Sequence, residues 1–317
     1  MKVFVTCPLP GDAVERVKSV CDVVVGEPGE GVRSASFAKG ADSFEAILAL
    51  LTDDIDASLL DRAPRVRLVA NMAVGVDNVD LGECRARGVA VSNTPGVLTE
   101  ATADLAFALL LAAARRVIEG DGIVRRGEFP GWTPTTLLGA PVHGAALGIV
   151  GLGRIGQAVA RRARGFGMRV CYTQPTRLDE KLERALGVAF VSVDELFRSC
   201  DFVSIHCPLT PETHHLASRE RLASMKSRSV LVNTSRGPCV DEDALTDALE
   251  KGPLAAAGLD VFEREPRVEA RLRARTNAVL TPHIGSADRR TRAAMAALAA
   301  DNVIAFARGE PLPTRVG

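Results

Sequence analysis

The chain has 317 residues, long for one compact domain and comfortable for two, and 47% of them are hydrophobic, enough for sizeable cores. Its 39 basic and 39 acidic side chains cancel, which leaves no electrostatic reason to expect nucleic acid or an acidic membrane as partner. Seven scattered cysteines, odd in number and without a CxxC pair, read as reduced thiols of a cytoplasmic protein, and the opening "MKVFVTCPLP" reads as a first strand, not a secretory signal.

Short β-branched runs then alternate with helical patterns. A first series of strands is predicted at 2–6, 22–26, 46–51, 66–70 and 88–93. A long helix follows over 100–116. It contains the longest apolar run, "LAFALLLAAA", which is too short to span a bilayer. A second series is predicted at 147–150, 168–173, 201–206, 229–233, 256–261 and 278–280, and an alanine-rich helix at 287–308. Continuous apolar strands separated by helices predict an α/β fold with parallel sheets covered on both faces. The break between domains falls near residue 98, and the second series ends near 285. Periodicity does not decide which domain the last helix covers.

The stretch "LGIVGLGRIGQAVARRARGFGMRVCYT" places Gly151, Gly153 and Gly156 in G-x-G-x-x-G spacing between a strand and a helix. That context marks a dinucleotide site. The first glycine allows the tight turn, the second lets a pyrophosphate approach, and the third lets helix and strand pack. Free N–H groups around Arg154 and Ile155 then face the phosphates. At the end of the next strand an acid selects NAD by binding its ribose. Here Gln174 stands in that place and Arg177 follows, which favours NADP(H) over NAD(H).

Three further stretches complete the pattern: "VNTSRGPCVDEDAL" with Arg236, "AGLDVFEREP" with Glu265 and "TPHIGS" with His283. In this order, with "MAVGVDNVD", "VSNTPGVLTEATADLAFALLLAAARR" and "ARGEPLPT", the chain resembles the D-isomer-specific 2-hydroxyacid dehydrogenase family over nearly its whole length. Within the family it is most similar to the glyoxylate/hydroxypyruvate reductase branch, which implies reduction of small 2-oxo acids. Such an acid needs its carboxylate neutralised, its carbonyl polarised and a proton delivered, and arginine, a buttressed histidine and its carboxylate suit those tasks.

The resemblance implies two doubly wound, Rossmann-like domains with a cleft between them. Residues 1–98 and 286–317 would bind substrate, and 99–285 would bind the dinucleotide. It implies homodimers formed through the cofactor domain. It implies Arg236, Glu265 and His283 as catalytic residues, with Arg236 also on the substrate carboxylate. Leu51 and the backbone N–H groups of Val74 and Gly75 would complete the substrate side. Thr102, Pro208 and Asp260 would contact the cofactor. Glu265 beside His283 is expected to favour the imidazolium that gives up the proton. No metal is expected: His214 and His215 have no Cys or carboxylate at ligand spacing, and with His143 and His206 they read as helix-start or surface residues.

Departures set the alternatives. Trp132 fits a W-x-P pattern in a segment that in related reductases reaches towards the partner subunit, but Thr136 stands where some have a second aromatic. A smaller residue there would admit a longer acid, so a 2-ketogluconate reductase is one alternative. Val74 stands where phosphite dehydrogenases have a lysine, and Glu265 argues against formate dehydrogenases. A nucleotide-sensing corepressor on the same fold is the rival from another class. Such proteins carry extended tails, whereas this chain runs about nine residues past its last helix.

Overall fold

Runs such as Leu68–Asn71 and Ser229–Asn233 are apolar or uncharged at nearly every position, and every residue in them is buried. Such strands need cover on both faces, and parallel sheets flanked by helices provide it. The computed structural model describes all residues from Met1 to Gly317 and divides them into two units, Met1–Leu98 with Ser286–Gly317, and Thr99–Gly285.

The first unit has strands β1 (Lys2–Val5), β2 (Asp22–Val25), β3 (Ala46–Ala49), β4 (Leu68–Asn71) and β5 (Ala90–Ser92). They form one parallel sheet in the order β2-β1-β3-β4-β5. Four one- to two-turn helices connect them: α1 (Ala13–Lys18), α2 (Ala35–Gly40), α3 (Ala57–Arg62) and α4 (Leu81–Ala86). Asp56 and Asp80 start α3 and α4 by accepting the N–H groups of Leu59 and Glu83. Phe4, Phe37 and Phe44 form an aromatic cluster on one side, with ring centroids 5.0 to 5.7 Å apart.

The second unit begins with α5 (Thr99–Ala114) and α6 (Val117–Arg125). The single long helix expected here ends at Ala114, because Arg116 turns into the left-handed region at φ 54° and starts a new helix. The chain continues β6 (Ala146–Val150), α7 (Arg154–Gly165), β7 (Arg169–Thr173), α8 (Glu180–Leu186), β8 (Val188–Phe190), α9 (Val193–Ser199) and β9 (Phe202–Ile205). It closes with α10 (Arg219–Ser224), β10 (Ser229–Asn233), α11 (Glu242–Glu250), β11 (Leu254–Leu259), α12 (Ala270–Arg273) and β12 (Ala278–Leu280). All seven strands are parallel, in the order β12-β11-β10-β9-β6-β7-β8. Strand β8 was not expected; three residues with an exposed Ala189 carry too little apolar pattern to be seen.

Alternate residues of this sheet feed two cores. Leu147, Ile149, Phe202, Val230 and Val232 pack with α5 and α7, while Val150, Val203, Ile205 and Leu231 pack with α9, α10 and α11. After β8 the chain crosses from one flank of β6 to the other and enters β9. Such a reversal opens a crevice at the carboxyl ends of β6 and β9, where ligands of doubly wound sheets bind.

The last helix, α13 (Arg289–Ala307), lies on the first unit, against α1, β3 and β4. Arg16 of α1 pairs with its Asp301, and its buried Asn302 bonds Thr314 on both sides of the amide. No helix of the protein is long and apolar enough to cross a membrane.

Candidate active site

The glycine-rich turn joins β6 to α7 at the crevice. Gly151 has φ 89°, and a Cβ there would lie 2.7 Å from the Cys207 nitrogen; one on Gly156 would lie 2.2 Å from the Gly151 carbonyl oxygen. Space beside Gly153 is open to 4 Å. Helices α8, α9, α10 and α11 start on Asp or Ser side chains that accept a first-turn N–H, but α7 starts on Gly153 with no side-chain cap. Its N–H groups at Arg154 and Ile155 therefore have the partial positive charge and the room that a pyrophosphate requires. Pro208 follows Cys207 across this turn, and its carbonyl accepts from Thr213 at 2.6 Å.

Beyond β7, Gln174 turns its Oε1 back onto the Leu152 N–H of the same turn at 3.1 Å and gives its Nε2 to the Thr176 carbonyl at 2.6 Å. Arg177 forms a bidentate pair with Glu183, Nε at 2.9 Å and Nη2 at 2.8 Å, and the Tyr172 hydroxyl donates to the same carboxylate at 2.7 Å. These bonds, Arg177 first and Tyr172 second, hold the Glu183 carboxyl down to about 2. Arg177 is thus fixed in place rather than freely solvated.

Arg236, Glu265 and His283 stand on three loops at the carboxyl ends of β10, β11 and β12. Asn233 shapes the first loop by donating to the Arg236 carbonyl at 2.9 Å while accepting from the Ser235 N–H at 3.0 Å. The second loop folds the Glu265 side chain back so that Oε1 accepts the Phe262 N–H at 3.0 Å. Its Oε2 lies 2.8 Å from His283 Nδ1, which leaves Nε2 for a substrate. Burial works to raise the Glu265 carboxyl. The His283 hydrogen bond and charge, the Phe262 N–H and the Arg236 charge outweigh it, so the group sits below the ordinary carboxyl range.

His283 itself has φ 53°, a strained conformation held from outside. Its N–H donates to the Asp260 carbonyl at 2.8 Å. The Asp260 carboxylate accepts from the Thr281 hydroxyl at 2.6 Å, the Ile284 N–H at 2.8 Å and the Gly285 N–H at 2.7 Å. Asp260 is 1% exposed, and burial leaves its carboxyl raised despite these three bonds. Thr102, buried on α5, lies beside Gly285, its Oγ1 3.6 Å from where a Cβ there would stand. Four sequence candidates, Thr102, Asp260, Glu265 and His283, are thereby joined through one short loop.

In the first unit, Leu51 and the segment Met72–Val76 follow β3 and β4. The buried Asn71 donates to the Gly75 carbonyl at 3.0 Å, and Asn93 donates to the Val74 carbonyl at 2.8 Å. Two carbonyls of the loop are so tied back by asparagines; Asn71 stands directly before "MAVGVDN", but Asn93 lies 19 residues beyond Val74, in "VSNTPG", where nothing local links it to the loop.

Two histidine readings need correction. His215 has a carboxylate partner, Glu263, with Nε2 3.0 Å from Oε1, because a distant loop folds over it. His206 is half-buried rather than on the surface; it directly follows β9, its Nε2 lies 2.7 Å from Ser204 Oγ, and burial pushes its imidazole down to about 4. His143 is exposed and His214 stacks on His215 at 4.1 Å.

The family model described as D-isomer specific 2-hydroxyacid dehydrogenase, NAD binding domain, matches residues 107–285. A glyoxylate reductase of Thermococcus litoralis is 46% identical over 99% of this chain and 96% of its own, and one of Korarchaeum cryptofilum 47% over 99% and 95%. Among solved structures, the TT0316 protein of Thermus thermophilus superposes over all of both chains with TM-score 0.91 and 47% identity. The NADPH-dependent glyoxylate/hydroxypyruvate reductase of Sinorhizobium meliloti, solved with NADP and malonate, superposes over 100% of this chain and 96% of its own with TM-score 0.88 and 32% identity. Fold, motif and relatives together define an NAD(P)-dependent oxidoreductase. The chain belongs to the D-isomer specific 2-hydroxyacid dehydrogenase family, in its glyoxylate reductase branch.

Proposed function

We propose that the protein reduces small 2-oxo acids, glyoxylate and hydroxypyruvate foremost, to D-2-hydroxy acids with His283 as acid/base. The observation that carries this reading is the 2.8 Å pair of His283 Nδ1 with Glu265, on loops of the same sheet as an uncapped glycine-rich turn. The reduced nicotinamide, when bound, supplies the hydride. Glu265 fixes the imidazole with Nδ1 inward, so Nε2 can deliver a proton to the carbonyl oxygen. Arg236 supplies a fixed cation to the substrate carboxylate and carbonyl. The Val74 and Gly75 amides, with their own carbonyls tied back, are suited to an anion as well. Thr102 and the remaining lone pair of Asp260 are assigned to the nicotinamide end.

The cofactor is assigned as NADP(H) in preference to NAD(H). Gln174 puts no charge where an acid would repel the 2′-phosphate, and Arg177 keeps Nη1 for it while Glu183 holds Nε and Nη2. The protein is assigned a homodimeric state: Val117, Ile118, Val124, Phe129, Trp132 and Leu138, all within the one stretch 117–138, are exposed, and a partner subunit would cover such apolar side chains. Its seven cysteines are free thiols, in keeping with the reducing cytoplasm.

The test is a steady-state panel of glyoxylate, hydroxypyruvate, 2-ketogluconate and simple aldehydes with both reduced nucleotides, repeated for Arg236→Lys. Two-oxo acids should turn over and aldehydes hardly at all. Lysine keeps the charge but loses the planar fork, so the variant should fall by about a hundredfold or more in kcat/KM. Near-normal turnover of Arg236→Lys would place the carboxylate elsewhere, and no turnover of any acid would favour the corepressor reading.

A further inference from the structure

The turns that carry Arg236 and Glu265 are built against each other. Gly237 follows Arg236, and a Cβ there would lie 1.9 Å from both the carbonyl carbon and the oxygen of Phe262, and 2.5 Å from the Glu263 nitrogen. Without a side chain, this turn lies flat on the main chain that leads into Glu265.

Polar bonds surround that contact and run in both directions. The Glu263 N–H donates to Glu242 Oε2 at 3.0 Å, and the Glu242 N–H lies 3.4 Å from Glu263 Oε2. The Glu269 N–H reaches Glu242 Oε1 at 3.4 Å, so Glu242, 7% exposed, grips the turn on both sides of Glu265. His215 completes the frame. Its N–H donates to the carbonyl of Pro238, two residues past Arg236, at 2.7 Å. Its ring Nε2 lies 3.0 Å from Glu263 Oε1. A hydrogen bond to a carboxylate is stronger and more directional than one between neutral groups, so this contact can set the angle of the turn. From Glu263 the chain passes to Glu265, whose two oxygens hold the Phe262 N–H and His283 Nδ1.

We propose that His215 and Glu263 are positioning residues for the proton-transfer pair. His215 touches the Arg236 turn through its backbone and the Glu265 turn through its ring, and so keeps Glu265 at hydrogen-bonding distance from His283. The proposal rests on the reading of His283 and Glu265 as acid/base and orienting carboxylate.

The experiment follows glyoxylate reduction by full-length protein across pH, with kcat, KM for both substrates, dinucleotide affinity and thermal midpoint, for wild type, His215→Ala, His215→Gln and Glu265→Gln. In His215→Ala, kcat should fall by roughly tenfold, as misplaced catalytic groups do, with KM for the dinucleotide unchanged. The limb on which reduction declines as pH rises should move to lower pH. The sign is decisive. Removing an imidazole takes away whatever positive charge it carries, which alone would move the limb to higher pH; a shift to lower pH reports lost contact with Glu265. His215→Gln keeps a long N–H donor and should return to within about threefold of wild type.

Should His215→Ala not fold, His215→Asn replaces it, since its amide is too short to reach Glu263 and asparagine tolerates the φ of 49° at this position. An unmoved limb with unchanged kcat overturns the proposal. So does equal loss in the Gln and the shorter variant together with a lowered thermal midpoint, which marks a purely structural role. If the limb of Glu265→Gln does not move, the acid/base reading itself fails. If that limb moves and the His215 variants' limbs do not, the positioning role alone fails.

Discussion

Asp260 tests whether the loop bearing His283 is held by one buried carboxylate. Asp260→Ala removes the acceptor of the Thr281 hydroxyl and of the Ile284 and Gly285 N–H groups. A buried donor left without a partner costs about 1–3 kcal/mol. Two backbone donors therefore cost about 2–6 kcal/mol, less whatever water recovers where Ile284 is 38% exposed. The lower half of that range, about 2–4 kcal/mol, is expected, a large part of the roughly 5–15 kcal/mol that holds a domain folded. Asp260→Asn should cost less. Burial keeps this carboxyl raised, so its charge opposes folding at neutral pH. The amide removes that charge but turns an NH2 group towards a donor. Urea unfolding followed by circular dichroism, without dinucleotide, measures both variants, and glyoxylate turnover measures the loop. The Asp260 carbonyl still accepts the His283 N–H, but with the Ile284 and Gly285 anchors gone the loop no longer fixes His283, and kcat should fall by about a hundredfold. An Asp260→Ala protein within about 0.5 kcal/mol and twofold in kcat of wild type would refute the reasoning.

Other outcomes follow from the same geometry. Glu265→Gln removes the carboxylate beside His283, so the pH limb of reduction should move to lower values, and that of hydroxy-acid oxidation with it; pH–rate profiles in both directions check this, and a single shared trend in wild type would exclude His283 as proton carrier. Gln174→Asp should swing preference from NADPH towards NADH by at least about tenfold through repulsion of the phosphate, read as the ratio of kcat/KM values; a wild type that already prefers NADH would sink the assignment. His206 is neutral in the fold down to about 4, whereas the unfolded chain takes up its proton near 6.5. Stability should therefore fall as pH drops between these values. In His206→Gln, which keeps a group for Ser204, denaturation midpoints should show less of that decline.

The α/β class, most strand positions and the dinucleotide turn were legible in the sequence because each is written locally, whereas Arg236, Glu265 and His283 were picked out by the family resemblance of several separate motifs. Strands buried on both faces are continuously apolar, and Gly151, Gly153 and Gly156 answer steric demands only a few residues away. Helix breaks and edges escaped it: Arg116 ends a helix by a change of φ that an arginine does not announce, and β8 is three residues long. The side of α13 was open because its apolar residues surround the helix, so no face names its partner; only contact with α1, β3 and β4 decided it. The partners of His215, Glu242, Gly237 and Asp260 lie more than 20 residues away. No local pattern links such positions, since a hydrogen bond or a missing Cβ acts over about 3 Å of space whatever the distance along the chain. Tertiary structure alone decided that His215 answers Glu263, that Gln174 caps the glycine turn and that Arg177 is already paired.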